Sequence, residues 1–352
     1  MRLAVIGAAV LWGTAGTAGL LVTGVDPVSL AAARLVIGGL VLAAATAPAA
    51  RLLLSSLRGP ATPDSRGGST TPAAPPASGR RFAARLGTLA AAAVAVAAYQ
   101  LCFFAAVSRT GVAIGTVVAI GSGPVFTGLL SWLLDRVPPS RRWAGATAVA
   151  IAGCAVLTGG GGEARLDGIL LALFGGLLYA FYAVTAARTI AAGAPSDGVM
   201  GLMFGGAALV MVPVLLWTGT GWLAEPRGLI TALYLGCATT ALAYFLYGRG
   251  LRTTPVATAA TLALAEPAVA ALLGVAVLDE RLTLASAAGL ALLGASLAAV
   301  ALPERGPGTP SGRGPGTPSA RDPEERGPGG RRPGPAAGAG PERSAERVPA
   351  GE

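Results

Sequence analysis

The sequence predicts an all-α polytopic membrane protein of about ten transmembrane helices, arranged as two inverted five-helix repeats. Three observations predict it. First, 53% of the 352 residues are hydrophobic and only 12% are charged, where a soluble domain carries about 25% charged residues; the mean hydropathy is +0.65. Second, apolar runs of about 20 residues, the length of a spanning helix, recur from Leu3 to Leu302. They are continuous and rich in Ala, Leu and Gly, which does not fit the short alternating strands of a membrane barrel. Third, the second half of the chain repeats the pattern of the first.

The first run, Leu3–Val22, follows Arg2 and is too long for the apolar core of a secretory signal, so it is read as a retained membrane helix. Further spans fall at Pro27–Ala47, Leu86–Val107, Val112–Leu134, Trp143–Leu157 and Gly168–Ala187. Gly198–Trp217, Gly228–Tyr247, Val256–Leu278 and Leu282–Leu302 complete the set. Most connections are short turns bearing Gly, Pro, Asp or Arg. The exception is residues 51–85, whose middle is rich in Pro, Gly, Ser and Thr and reads as a flexible loop. Beyond Leu302 the chain repeats GPGTPS and nearly lacks large apolar residues, so residues 303–352 read as a disordered tail. The predicted domains are therefore a first repeat over 1–157, a second over 168–302, and that tail.

Arginine placement sets the expected topology. With the N-terminus inside, one face holds Arg51, Arg58, Arg66, Arg80, Arg81, Arg85, Arg136, Arg141, Arg142, Arg188, Arg249 and Arg252. The other holds only Arg109, Arg165, Arg227 and Arg281. This bias predicts a multi-pass protein of the cytoplasmic membrane with both termini in the cytoplasm. It also accounts for the net charge of +9 without a nucleic-acid partner.

Composition excludes several chemistries. There is no histidine, and every basic residue is arginine. Cys102, Cys154 and Cys237 are isolated within apolar runs and show no metal-ligand or disulfide spacing. No cofactor and no metal site are expected. A membrane-embedded enzyme needs convergent polar groups such as paired carboxylates or a Ser/Lys dyad, and the spans hold one mid-span carboxylate.

That carboxylate is Glu266, beside Pro267 in TLALAEPAVAALLGVAVL (Thr261–Leu278). An ionisable group at membrane depth is retained when it lines a cavity or pairs with something. The proline cannot donate to the helix, which frees the carbonyl of Ala263. An earlier run matches this one. With a single-residue gap before the prolines and a compensating one after, Val112-Ala113 falls on Val256-Ala257 and Pro124 on Pro267. Leu134-Asp135 then falls on Leu278-Asp279, and Ala144-Gly145 on Ala288-Gly289. Five spans per half give the halves opposite orientations. Inverted repeats with interrupted helices in matching places point to a transporter with its site near the midplane.

These residues carry a resemblance. LWGTAG (Leu11–Gly16), DPVSLAAARLVIGGL (Asp26–Leu40) and YQLCFFAAVSRTGVAIGTVVAIGSGPVF (Tyr99–Phe126) lie in the first half. LLYAFYAV, ALAYFLYGRGLRTTPVATAATLALAEPAVAALLG and LDERLTLASAAGLALLG follow in the second. In order and spacing the chain resembles the EamA family of the drug/metabolite transporter superfamily over nearly all of Leu3–Leu302. The resemblance implies movement, mostly outward, of a small metabolite, amino acid or drug-like compound. Two features depart from the family pattern: Arg136 stands where a glutamate is common, and the 51–85 loop is long.

The candidate substrate-binding or coupling residues are Glu266, Arg34, Trp12, Gln100, Tyr182 and Tyr244. Glu266 is read either as a substrate-cation or proton site or as a structural carboxylate at a broken helix end. Arg34 lies about seven residues, roughly 10 Å, into the second span. It is read as an anchor for a substrate carboxylate, as the partner of Glu266, or as a side chain snorkelling to the surface. The aromatic positions are read as cavity wall or as packing. Gly121, Gly123, Pro124 and Pro267 form the expected helix-break or hinge set; GSGP (Gly121–Pro124) lacks the Lys-Ser/Thr of a nucleotide loop. Small residues at Ala144, Ala148 and Ala152, and at Ala287, Ala291 and Ala295, suit intramolecular packing or a homodimer face. The expectation is a secondary transporter working by alternating access, proton-coupled through Glu266 or facilitative. A non-transporting scaffold or receptor is the alternative.

Overall fold

The computed structural model describes residues 2–58, 77–159, 165–278 and 283–302. The tail over 303–352 and the middle of the 51–85 loop lie outside the described residues. The flanks of that loop are helical. After α1 (Arg2–Gly19) and α2 (Pro27–Ala45), α3 (Ala47–Arg58) continues through Leu52–Leu57 and buries Leu53. Residues 77–85 already belong to α4 (Ala77–Asp135). The expected loop is thus trimmed at both ends by residues that continue a helix.

Local chemistry starts and stops the spans. Asp26 caps α2, its Oδ1 accepting from the amides of Val28 at 2.6 Å and Ser29 at 3.3 Å, with Pro27 in the first turn. Ser140 caps α5 (Arg141–Thr158), and Gly159 ends it at φ 74° in the left-handed region. α6 (Leu166–Ala191) and α7 (Ser196–Thr218) follow. The next span is composite: α8 (Pro226–Gly236), a π-helical turn over Cys237–Leu242, and α9 (Ala243–Leu251). α10 (Val256–Ala263) and α11 (Ala265–Leu278) form another, and α12 (Leu284–Ala301) is capped by Thr283.

Seven stretches among the described residues are long and apolar enough to cross a membrane. One of them, Phe82–Asp135, has 54 residues, about 80 Å of helix, and crosses twice. Its two arms meet at Gly111, where φ 80° and ψ 163° fall in a region open essentially to glycine alone. Counting α1 and α5, which match the predicted first and fifth spans, the described residues hold ten span-length segments. Arg2 Nη1 donates to the carbonyls of Val300 at 3.3 Å and Ala301 at 2.5 Å, so the two ends of the bundle share one face.

The prolines behave unequally. The sequence suggested matching breaks, but α4 runs unbroken through Pro124, whereas α10 and α11 separate at Leu264, whose amide bonds back to Thr261 O at 3.1 Å. Pro267 sits in the first turn of α11, where its missing N–H costs little. The break therefore belongs to the second half alone.

Packing interleaves the halves. α2 meets its counterpart α7, and α5 meets its counterpart α12. The first helix of each half instead lies on the third and fourth spans of the other half. α6 runs along both arms of α4: Gly168 abuts Thr110, Gly175 faces Cys102, and Gly176 meets Ser122 and Ala119 O. α1 runs along α9, α10 and α11, with Gly250 on Val5 and Gly13 on Val269 and Glu266 O. In lipid no hydrophobic drive pulls helices together, so such close backbone approach supplies much of the cohesion. The outward stripes Ala144, Ala148, Ala152, Ala291 and Ala295 are exposed, and the α5–α12 contact instead uses Gly153 against Gly289 O.

A Cβ at Gly39 would lie 2.3 Å from Phe204 O, at the α2–α7 crossing, while one at Gly294 meets nothing within 4 Å. Gly39→Leu is expected to cost about 1–3 kcal/mol or more through overpacking. Gly294→Ala should be neutral or stabilise by about 0.4–1 kcal/mol. Thermal unfolding of both variants in detergent checks this contrast.

Candidate functional site

The interleaving brings residues of both halves to one enclosed cavity of about 60 Å³. Its wall includes Trp12 on α1, Arg34 on α2, Tyr99 and Pro124 on the two arms of α4, Tyr179 and Tyr182 on α6, Tyr244 on α9, and Glu266 on α11. Ala119, Ile120, Ala260 and Ala263 supply its small apolar surface. Five of the six candidate residues read from the sequence therefore meet in one place. Gln100, the sixth, stands behind the wall. The cavity is large enough for water but not for a drug-sized solute, which needs about 300–1,000 Å³.

Gln100 is 5% exposed and orients the arginine. With its amide turned as the hydrogen-bond network requires, its oxygen accepts from Arg34 Nη2 at 3.0 Å and Nε at 3.2 Å. Arg34 is thus tied to the first arm of α4 rather than snorkelling to a surface. It faces the same cavity as Glu266, yet the two form no ion pair within 4.0 Å. A guanidinium and a carboxyl group share the cavity without neutralising each other directly.

Helix geometry places both groups. Gly38, one turn beyond Arg34, lets α2 sink onto the widened turn of α8–α9: a Cβ there would sit 2.4 Å from Thr240 Cβ and 2.5 Å from Gly236 O. The π-turn's hydroxyls serve the backbone, since Thr239 and Thr240 both donate to Leu235 O, at 2.7 and 3.0 Å. Thr240 is consequently removed from the polar stripe it would form with Tyr244 and Tyr247 on a regular helix. Wide turns of this kind concentrate at functional sites.

Glu266 is set by Gly13 of LWGTAG. A side chain at Gly13 would strike Glu266 O at 2.8 Å and Val269 Cβ at 2.6 Å, so this glycine seats the start of α11 against α1. Thr261, just before the break, accepts from Trp143 Nε1 at 3.0 Å, pairs with Thr147 Oγ1 at 2.9 Å, and donates to Ala257 O at 3.1 Å. This network ties α10 to α5. Sequence reasoning missed it, because nothing in the spacing of Trp143, Thr147 and Thr261 announces a contact across more than a hundred residues.

The aromatic side chains form one connected wall. Trp12 lies 5.0 Å from Tyr244, Tyr244 lies 3.8 Å from Phe204, and Phe204 lies 6.3 Å from Tyr182, by ring centroids. Tyr182 continues to Tyr179 at 5.2 Å and Tyr179 to Tyr99 at 6.1 Å. Tyr179 OH also hydrogen-bonds Tyr247 OH at 3.1 Å. Trp12 lines the cavity, and its Nε1 is buried without a hydrogen-bond partner. Gly123 permits the α4–α6 approach, since its Cβ would stand 3.0 Å from the Tyr179 ring; Gly121 faces Ile151. Both act as close-approach points within an unbroken helix.

Comparison with known proteins now decides the family. The model of the EamA-like transporter family matches residues 2–159 and again 166–302. The chain belongs to the EamA-like transporter family. It is similar to the "Uncharacterized transporter YwfM" of Bacillus subtilis (strain 168), with 40% identity over 204 residues, covering 57% of this chain and 69% of that protein. A protein known from a crystal structure shares the fold, with a TM-score of 0.67 and 22% identity over 85% of this chain and 96% of the other. This EamA-like chain is a membrane transporter, not a member of an enzyme family.

Gln100→Leu leaves the Arg34 guanidinium facing an apolar side chain. An unmet charged donor costs about 1–3 kcal/mol. The variant should unfold at lower temperature in detergent, and Gln100→Glu, which keeps an acceptor, should recover the loss.

Proposed function

We propose that the chain is a secondary transporter that exports a small solute across the cytoplasmic membrane by alternating access, with both termini in the cytoplasm. The observation that carries this reading is the pairing of Arg34 and Glu266 on one midspan cavity without a direct ion pair. On insertion scales, a charge at a helix centre costs about 2.5–3.5 kcal/mol, so such groups are retained for use. Arg34 is the anchor for an anionic group of the solute, and Trp12 Nε1 is a further donor. Tyr99, Tyr179, Tyr182 and Tyr244 accept its apolar part.

Glu266 is the coupling residue in this reading. A carboxyl group beside a water-sized cavity can carry a proton in one orientation of the halves and release it in the other. The break at Leu264 gives α11 freedom to tilt about α10 while the Thr261 network holds α10 to α5. The arginine bias supports termini inside, and in this reading the driving force is the proton gradient. The helical wall contains no nucleotide loop.

The test begins with a solute-accumulation screen of cells with and without the protein. Its best hit is then assayed in proteoliposomes under an imposed pH gradient. Glu266→Gln is expected to abolish pH-driven flux while the protein still inserts and elutes as a folded species. pH-dependent flux that survives unchanged in Glu266→Gln would remove Glu266 from the coupling step.

A further inference from the structure

A second cavity, of about 490 Å³, lies outside the central site. It sits on the face that carries Arg2 and the end of α12, between the last turns of α4 and α6 and the corner joining α9 to α10. α4, α6, α9 and α10 line both cavities. Ser131 lies about two turns beyond Pro124 on α4, and Ala257 about one turn before Ala260 on α10. Tyr179 and Tyr247, hydrogen-bonded through their hydroxyls, link α6 and α9 near the junction. Unlike the central cavity, this one has the volume of a small-molecule site.

Two of its polar side chains lack hydrogen-bond partners. Thr254 is 3% exposed and its Oγ1 has no partner; Ser131 Oγ is likewise buried and unpartnered. Both residues line the cavity. Beside Thr254, α10 begins: its first helical bond runs from Ala259 N to Pro255 O, so the amides of Val256, Ala257 and Thr258 have no acceptor within the helix. That end of the cavity suits a carboxylate. The opposite wall carries Asp135, ion-paired with Arg188, both about half exposed. A half-exposed pair of this kind contributes little and exchanges readily. Val184, Ala187 and Leu251 form an aliphatic wall between the two ends.

We propose that this cavity is a separate loading subsite for a small zwitterion with an aliphatic body. Its carboxylate sits on the α10 N-terminus and the Thr254 hydroxyl, and its ammonium group replaces Arg188 on Asp135, with Ser131 Oγ as a further acceptor. The released Arg188 turns to solvent. A solute reaches this subsite first and passes to the central cavity when the Tyr179–Tyr247 bond opens. The subsite takes its purpose from the transport reading, but its occupancy is measurable without transport.

The experiment uses the full chain with Cys102, Cys154 and Cys237 replaced by alanine and Ala187→Cys added as a reporter. Membrane-impermeant thiol reagents are applied from either face of vesicles, with and without L-valine, isovalerate or isobutylamine. The reporter should react from the termini face, and L-valine should slow it several-fold where the two singly charged analogues do not. Thr254→Val and Asp135→Asn should each return the ratio of rates with and without L-valine to one. If the Ala187→Cys chain does not fold, Leu251→Cys replaces it as reporter. Absence of protection by L-valine, equal protection by either analogue, or protection that persists in both variants overturns the subsite. A chain that shows protection but carries no solute would sink the transport reading and leave the subsite standing.

Discussion

Everything in this structure depends on the exchange of first helices between the two halves. α1 lies on α9, α10 and α11, and α6 lies on both arms of α4. Each approach is set by glycines whose Cβ would collide with the facing helix, at Gly13 and Gly250 in one case and Gly168 and Gly176 in the other. Among lipid tails, apolar side chains gain nothing by meeting each other rather than the bilayer, so interlocking at close range must hold the bundle. The halves cannot separate without exposing polar backbone at those points.

The exchange also explains why the cavity lies where it does. Trp12 arrives on α1 and Tyr179 with Tyr182 on α6, so the wall is completed only when each half lends its first helix. Arg34 and Glu266 come from α2 and α11 and are each fixed from behind, by Gln100 and by the seat at Gly13. Their backing is what keeps them apart. A direct Arg34–Glu266 pair would satisfy both charges and leave nothing for a solute to do. The amide of Gln100 takes up the guanidinium's Nε and one Nη2 donor and leaves its remaining donors available.

Much of this was legible in the sequence, for identifiable reasons. Ten apolar runs and the match of Val112–Asp135 to Val256–Asp279 gave the helices and the duplication, because spanning length and internal repetition are properties of the chain itself. Glu266, Arg34, Trp12, Tyr182 and Tyr244 stood out as polar or bulky groups in runs of Ala, Leu and Gly, and they do meet. The Trp143–Thr147–Thr261 network, the role of Gln100 and the π-turn at Cys237–Leu242 were not legible. Each depends on which helices become neighbours or on a local change of helical register, and neither follows from periodicity. The single break at Leu264 was also misjudged from proline alone: α4 stays helical through Pro124.

That inequality bears on how a duplicated scaffold acquires direction. At the matched positions, Gly123 stands in an unbroken helix against the Tyr179 ring, and Glu266 stands just past a break. The first half is therefore continuous where the second half is interrupted, although both carry a proline. A proline interior to a helix frees the carbonyl four residues earlier, here Ile120, while Pro267 frees Ala263; both residues line the cavity. The symmetric element is thus a pair of loosened backbone sites on opposite walls. The asymmetric element is the carboxyl group beside only one of them, on the helix that begins at the break. Under the proposed alternating access, a titratable group beside the break changes its surroundings, whereas one at Gly123 packs against the Tyr179 ring. In the proposed coupling, Glu266 differs from Gly123 in lying just past a helix break as well as in its charge.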